Sequence, residues 1–264
     1  MSQIAATPRE LFVGIDVACA KGKRLPVVVA RRVDARLEPV HLCDARFPKP
    51  PVGRGNVAAL DDASNRAFAQ DVADYLRVVE RTEAATIKRI AIDAPRGPAP
   101  DAGGLRRSEA ALGQQGTQFF FRTPSASEFA SIRLKCKTHL LNGGPVAKLP
   151  YANKLWMLVG FTLFDALRPQ WECLEVFPQA IVVVLDAARF HKATPKGLKA
   201  QLEAASSRTG WNSEALGREL AISSFGAPHD RLDAFLSSWV ASLNADERKP
   251  LGEPPDDVIW IPRT

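Results

Sequence analysis

Apolar residues in this chain fall into short runs, several of which stop at an acid. LFVGIDVA (11–18) closes on Gly14-Ile15-Asp16, the pattern of a buried strand with a carboxylate near its end. LPVVVARRV (25–33) is rich in β-branched residues and predicts the next strand, and RLEPVHLCDA (36–45) alternates weakly enough to be a third. No helix-length segment separates these runs, so antiparallel pairing is expected at the start of the sheet. After the Pro/Gly-rich loop at 48–58, Asp61 and Asp62 open a stretch reaching Glu83. Its apolar positions Phe68, Val72, Tyr75, Leu76 and Val79 recur at helical spacing. KRIAIDAP (88–95) is a further buried strand ending in an acid, and strand, helix, strand in that order implies a parallel crossover.

Beyond a loop at 96–104, RRSEAALG (106–113) reads as a short helix stopped by Gly113. Residues 114–150 read as an insertion of loops with a short helix near 126–134. YANKLWMLVGFTLFDAL (151–167) is a strongly apolar helix suited to a sheet face, and WECLEVFP (171–178) is a strand containing Glu175. Pro178 favours a helix start for QAIVVVLDA (179–187). Two helical pieces flank Gly210 within 196–220, and HDRLDAFLSSWVASL (229–243) places Leu232, Phe235, Leu236, Trp239, Val240 and Leu243 on one side of a helix. PPDDVIWIPRT ends the chain as a short strand. The expectation is one α/β domain over 1–264, with a mixed central sheet, flanking helices and an insertion around 114–150.

A hydrophobic content of 46% over 264 residues suffices for a sizeable core. The net charge of +6 is compatible with a polyanionic partner and equally with ordinary solubility charge. Cys19, Cys43, Cys136 and Cys173 form no CxxC pair, which disfavours a thiolate zinc site and suits a reducing compartment. With no apolar leader and no membrane-length apolar run, the expectation is a cytoplasmic chain with no membrane partner; oligomeric state is not readable.

Asp16, Asp93 and Glu175 sit at or near strand ends, the edge where α/β sheets place their sites. Converging carboxylates repel one another, and a bound Mg²⁺ removes the repulsion, so such clusters point to hard-cation chemistry. In His229-Asp230-x-x-Asp233 the acids are three apart and share a helix face, and small Ala234 would let that helix approach the sheet closely. Arg96, Arg106 and Arg107 lie near these acids in sequence and suit phosphate contact. The segment 119–139 mixes aromatics with Arg133, Lys135 and Lys137, a composition fit to clamp a nucleic-acid strand or to form a small apolar core. Each residue has a structural alternative: Asp16 capping a loop, Asp93 making an Asx turn, Glu175 paired with an arginine, Arg106 or Arg107 in an ion pair with Glu109 or Glu175, and His229-Asp230 capping the last helix. Neither a GxSxG nucleophile motif nor a Walker loop occurs.

Taken in order, GIDVA (14–18), AIDAPRG (91–97), RRSEAALG (106–113), LEVFPQA (174–180), HDRLDAF (229–235) and VIWIP (258–262) resemble the domain-of-unknown-function family numbered 429, a family of predicted nucleases with a ribonuclease H-like fold. The resemblance spans residues 11–262. It implies a metal-dependent nuclease in which Asp16, Asp93, Asp230 and Asp233 are catalytic and bind Mg²⁺ or Mn²⁺, with DNA or RNA as partner. Glu109 and Glu175 match motifs of the same family and join the catalytic candidates, while the chain lacks a counterpart of the first-helix acid of ribonucleases H. Two further classes stay open: a non-catalytic binding or scaffold module of the same fold, and an actin- or sugar-kinase-like ATPase. The ATPase is disfavoured because Gly103-Gly104 and Gly143-Gly144 are both mid-chain.

Overall fold

The computed structural model describes residues 9–17, 19–101, 104–115 and 122–263; residues 119–121 of the aromatic segment, like the first eight residues and parts of the 96–104 and 114–150 loops, lie outside the described residues. The protein is a mixed α/β fold with one seven-stranded sheet, ordered β3-β2-β1-β4-β5-β7-β6, and helices on both faces.

The N-terminal strands follow the apolar runs. β1 (Arg9–Asp16) pairs antiparallel with β2 (Val27–Val33), which pairs antiparallel with β3 (Arg36–Pro39). A short turn of helix, α1 (Asn56–Ala59), precedes α2 (Asp62–Glu83). The Asp61 carboxylate caps α2 by accepting from the backbone N–H groups of Ala63 and Ser64. β4 (Ala85–Asp93) then returns parallel to β1, the expected crossover. α3 (Arg107–Gln114) matches the short helix expected there.

The middle of the chain is more helical than its pattern indicated. α4 (Ala126–Leu141) runs seven residues past the expected end at 134, and its Phe129, Ile132 and Cys136 join the same apolar cluster as β1 and β4. The apolar stretch from 151 becomes helical in two steps. Tyr151 adopts a left-handed backbone (φ 56°), 3₁₀ turns span Val146–Lys148 and Ala152–Lys154, and α5 (Trp156–Leu167) follows. β5 (Glu172–Val176) lies parallel to β4, α6 (Pro178–Val184) starts at the proline, and Gly210 in the left-handed region separates α7 (Pro195–Thr209) from α8 (Ser213–Ser223). α9 (Pro228–Ser242) is the last helix. The sheet ends in a hairpin of β6 (Arg248–Glu253) and β7 (Asp257–Pro262), with β7 meeting β5 at Val176 and Trp260. β6 is an addition to the expected strands. Pro250, Gly252 and its charged residues hide it, and an edge strand tolerates them.

Strand alternation divides the core. Leu11, Val13 and Ile15 of β1 join Ile90 and Ile92 of β4 against α2 and α5, while Phe12 and Ala91 face the opposite layer with α9. α9 crosses β1 at Gly14, where a Cβ would fall 1.9 Å from the Ala234 carbonyl oxygen and 2.4 Å from the Ser238 nitrogen. The absence of a side chain at Gly14 therefore permits the close approach, as well as the small Ala234. On the helix side Ser237, Ser238 and Ser242 are buried, each hydroxyl donating to a carbonyl three or four residues earlier, so small polar side chains line the contact without unmet hydrogen bonds.

Candidate active site at the carboxyl ends of the central strands

Asp16 and Asp93 are register partners at the ends of β1 and β4. Alternation places both on the face covered by α9, beyond Gly14 and Ala91 respectively. α9 runs back along these strands: its start lies near their carboxyl ends, and Arg89, earlier on β4, donates to the carbonyl oxygens of Ala241 and Leu243 at its far end. The first turns of α9 thus present Asp233 to Asp16 and Asp93, with Asp233 only 2% exposed.

Electrostatics record the convergence. Burial holds Asp16 well above the ordinary carboxylate range, and the charges of Asp93, Asp233 and Asp230 add to it while Lys192 opposes. Burial likewise pushes Asp93 up to about 8, with Asp233 and Glu175 raising it and Lys192 lowering it. Asp233 is also raised, by burial first, despite the Lys192 ammonium that donates to its carboxylate. Neither the Asp16 nor the Asp93 carboxylate receives a hydrogen bond from a described residue. Lys192, from the loop between α6 and α7, is itself held above its ordinary range by Asp233, Asp93 and Asp16, against the cost of burial. No sequence signal near residue 192 marks it, because its partners are remote in the chain.

Asp230 stands at the margin. Its carboxylate accepts from the Ala227 N–H at 3.3 Å and lies 3.0 Å from His229 Nε2, so it also closes the first turn of α9. Glu175 falls on the other side of the sheet, since Leu174 and Val176 face α9. There Arg106 grips Glu175 with two hydrogen bonds of 2.7 Å and the Arg96 N–H adds another, while Arg106 Nε reaches Asp257 at 3.1 Å. Burial pushes Glu175 up and Arg106 pulls it back. Glu109 accepts from the Thr123 N–H and hydroxyl. The Arg96 guanidinium is held by the Pro255 carbonyl and Asp256, and Arg107 pairs with Glu253 at the surface. In the 119–139 segment, Arg133 binds Asp62 and Lys135 lies over the Tyr151 ring, while Phe129 packs edge-on to Phe161. The structure therefore brings Asp16, Asp93 and Asp233 together with Asp230 beside them, and places Glu109, Glu175 and Arg106 in a neighbouring ion-pair layer.

Gly160 of α5 fixes the other side of this edge, for a Cβ there would meet the Ala94 Cβ at 2.4 Å. A cavity of about 670 Å³ opens beside Asp93, lined also by Lys192, Arg106, Glu109 and Glu175. The carboxylate oxygens of Asp16 and Asp93, which receive no hydrogen bond from a described residue, are hard donors that suit Mg²⁺ or Mn²⁺ in kind. Among the described residues, no group of three or more His, Cys, Asp or Glu side chains is arranged to hold a metal ion, and the Lys192 ammonium occupies Asp233. No helix among the described residues is long and apolar enough to cross a membrane. No family model matches the chain, and no curated protein or solved structure shows significant similarity to it.

Proposed function

We propose that this protein is a divalent-metal-dependent phosphodiesterase of ribonuclease H-like architecture acting on nucleic acid. The observation that carries the proposal is the Asp16–Asp93 register pair with buried Asp233 packed over it: mutually repelling carboxylates, two of them receiving no hydrogen bond from a described residue. The antiparallel strands β2 and β3 beside parallel β1, β4 and β5 fit the sheet that the resemblance to family 429 implies.

Asp16, Asp93 and Asp233, with Asp230 at the margin, would hold the Mg²⁺ or Mn²⁺. Such a cation offsets carboxylate repulsion, polarises a phosphate and favours ionisation of water. The chain's own residues supply the rest. β1 and β4 fix two carboxylates side by side, and α9 clamps the third over them. Lys192 supplies a positive charge where a phosphate would arrive, and releases Asp233 when its ammonium turns to that phosphate.

The Lys192–Asp233 pair also favours a second reading, a non-catalytic binding module in which the lysine is the permanent counter-ion. One experiment separates them. Mn²⁺-dependent cleavage of a panel of single-stranded and duplex oligonucleotides is measured for the parent and for Asp16→Asn. The phosphodiesterase loses more than about a hundredfold in rate with Asp16→Asn, beyond the usual cost of an outer-shell change, at a melting temperature no lower than the parent's. A parent that cleaves nothing and shows no heat of Mn²⁺ binding, or a folded Asp16→Asn variant of full activity, overturns the proposal.

A further inference from the structure

The cavity beside the acids carries more chemistry than phosphate hydrolysis needs. It extends from Asp93 and Lys192 past Trp156, the first residue of α5, Phe177 before α6, and Phe190 in the α6–α7 loop. Leu112, Met157 and Ile259 add apolar walls beside the Arg106–Glu175 ion pair that also lines it. Phe190, which also lines the cavity, is 42% exposed, so its ring is open to a ligand arriving from solvent. Its ring is flanked by Arg189 at 5.6 Å and Lys196 at 5.9 Å, so with Lys192 the mouth is cationic and aromatic together. Inside, the Gln179 amide makes no hydrogen bond to a described residue, leaving donors and an acceptor for a ligand's edge.

The volume of about 670 Å³ is that of a small-molecule site. It is too small for a duplex, whose bases are stacked and inaccessible to an enclosed pocket unless a nucleotide is extruded. A polyanion whose phosphate reaches Lys192 and the acids has its nearest base at the cavity mouth. Aromatic side chains hold unstacked bases by stacking, and a free amide reads their edges.

The geometry points to this cavity as the seat of one unstacked nucleobase, so that the substrate is a single-stranded or extrahelical segment of nucleic acid. This rests on the proposed phosphodiester chemistry for the position of the phosphate, but the cavity is testable without it. Calorimetric titration of the full chain in Mn²⁺ compares adenosine 5′-monophosphate with ribose 5-phosphate, which carries the same phosphate and no base. The nucleotide is expected to bind at least about tenfold more tightly, the scale of one stacked base. Ala188→Trp, which fills the cavity, removes that advantage and leaves ribose 5-phosphate binding unchanged; Gln179→Ala, a gentler change, weakens the nucleotide several-fold at an unchanged melting temperature. Equal affinities for the two probes, or a folded Ala188→Trp variant that keeps the nucleotide preference, overturn the inference. A nucleotide preference in a protein that cleaves no oligonucleotide upholds the base site and fails the nuclease. Equal cleavage of single strands and duplex, with no nucleotide preference, fails the base site alone.

Discussion

Replacing Asp93 by Asn tests whether the acid cluster is as repulsive as its surroundings imply. Asn keeps the shape and cannot ionise. The parent carboxyl, at about 8 against an ordinary value of 3.8, holds its proton far more firmly when folded than when unfolded. A carboxyl raised on folding favours the fold while protonated. That contribution is complete below about pH 4, drains away as pH rises, and is gone above about pH 8. Each pH unit corresponds to about 1.4 kcal/mol, so the gap sets a ceiling of roughly 6 kcal/mol. Asp93 retains some solvent access and shares its titration with Asp16 and Asp233, so the variant's measured gain is expected at roughly 1–3 kcal/mol at pH 9. Urea denaturation at pH 5, 7 and 9 reads this directly: parent and variant differ least at pH 5 and most at pH 9, and a thermal scan at pH 9 shows the variant melting roughly 5 °C higher. Added Mn²⁺ stabilises the parent more at pH 9 than at pH 5, because only ionised carboxylates attract it. Parallel stability curves for the two proteins across that range would refute the reasoning, since Asp93 would then titrate as an ordinary carboxyl.

Two further substitutions probe the supports of the site. Arg106→Met strands the buried Glu175 without its guanidinium, and urea denaturation is expected to show a loss of about 3–5 kcal/mol near pH 8, smaller at pH 4 where Glu175 takes up a proton. Gly14→Val drives a side chain into the α9 backbone and is expected to cost at least about 3 kcal/mol, whereas Gly97→Ala, which meets nothing within 4 Å, stays within about 0.5 kcal/mol; equal melting temperatures for the pair would contradict the close contact.

What the sequence made legible is what local patterning controls. The run up to Asp16 and the run up to Asp93 announced buried strands ending in acids. The 3–4 spacing from Phe68 to Val79, behind Asp61, located α2 to its first residue. Pro178 marked the start of α6. What stayed hidden depends on contacts remote in sequence. Glu175 sits at a strand end like Asp93, but the parity of β5 relative to β4 turns it to the other face, and parity across a crossover is not written in either strand. β6 is recognisable only through its pairing with β7, as when Pro250 lies opposite Trp260. Lys192 has the composition of any loop lysine until α9 places Asp233 beside it.

The site and the core are built by the same contact. Gly14 lies two residues before Asp16 on β1, and it is at Gly14 that α9 touches the sheet most closely. Asp233 immediately precedes Ala234, whose carbonyl faces Gly14, so the height of Asp233 above Asp16 is set by backbone packing rather than by a side-chain rotamer. The orientation of α9 adds to this. Its start faces the carboxyl ends of β1 and β4, so unpaired N–H groups and the positive end of the helix dipole lie on the side of the acids and offset part of their repulsion. Three of its serines bury their hydroxyls against its own carbonyls, which lets a polar sequence lie against the sheet without separating the two. A carboxylate cluster of this kind costs stability at neutral pH. The fold retains it because the same tight packing that excludes water from Asp233 also anchors α9 through Arg89 at its far end, where the guanidinium holds the Ala241 and Leu243 carbonyls. Loss of either anchor, Gly14 or Arg89, frees the helix to rise and the acids to separate, so changes remote from the carboxylates act on the site by the same lever.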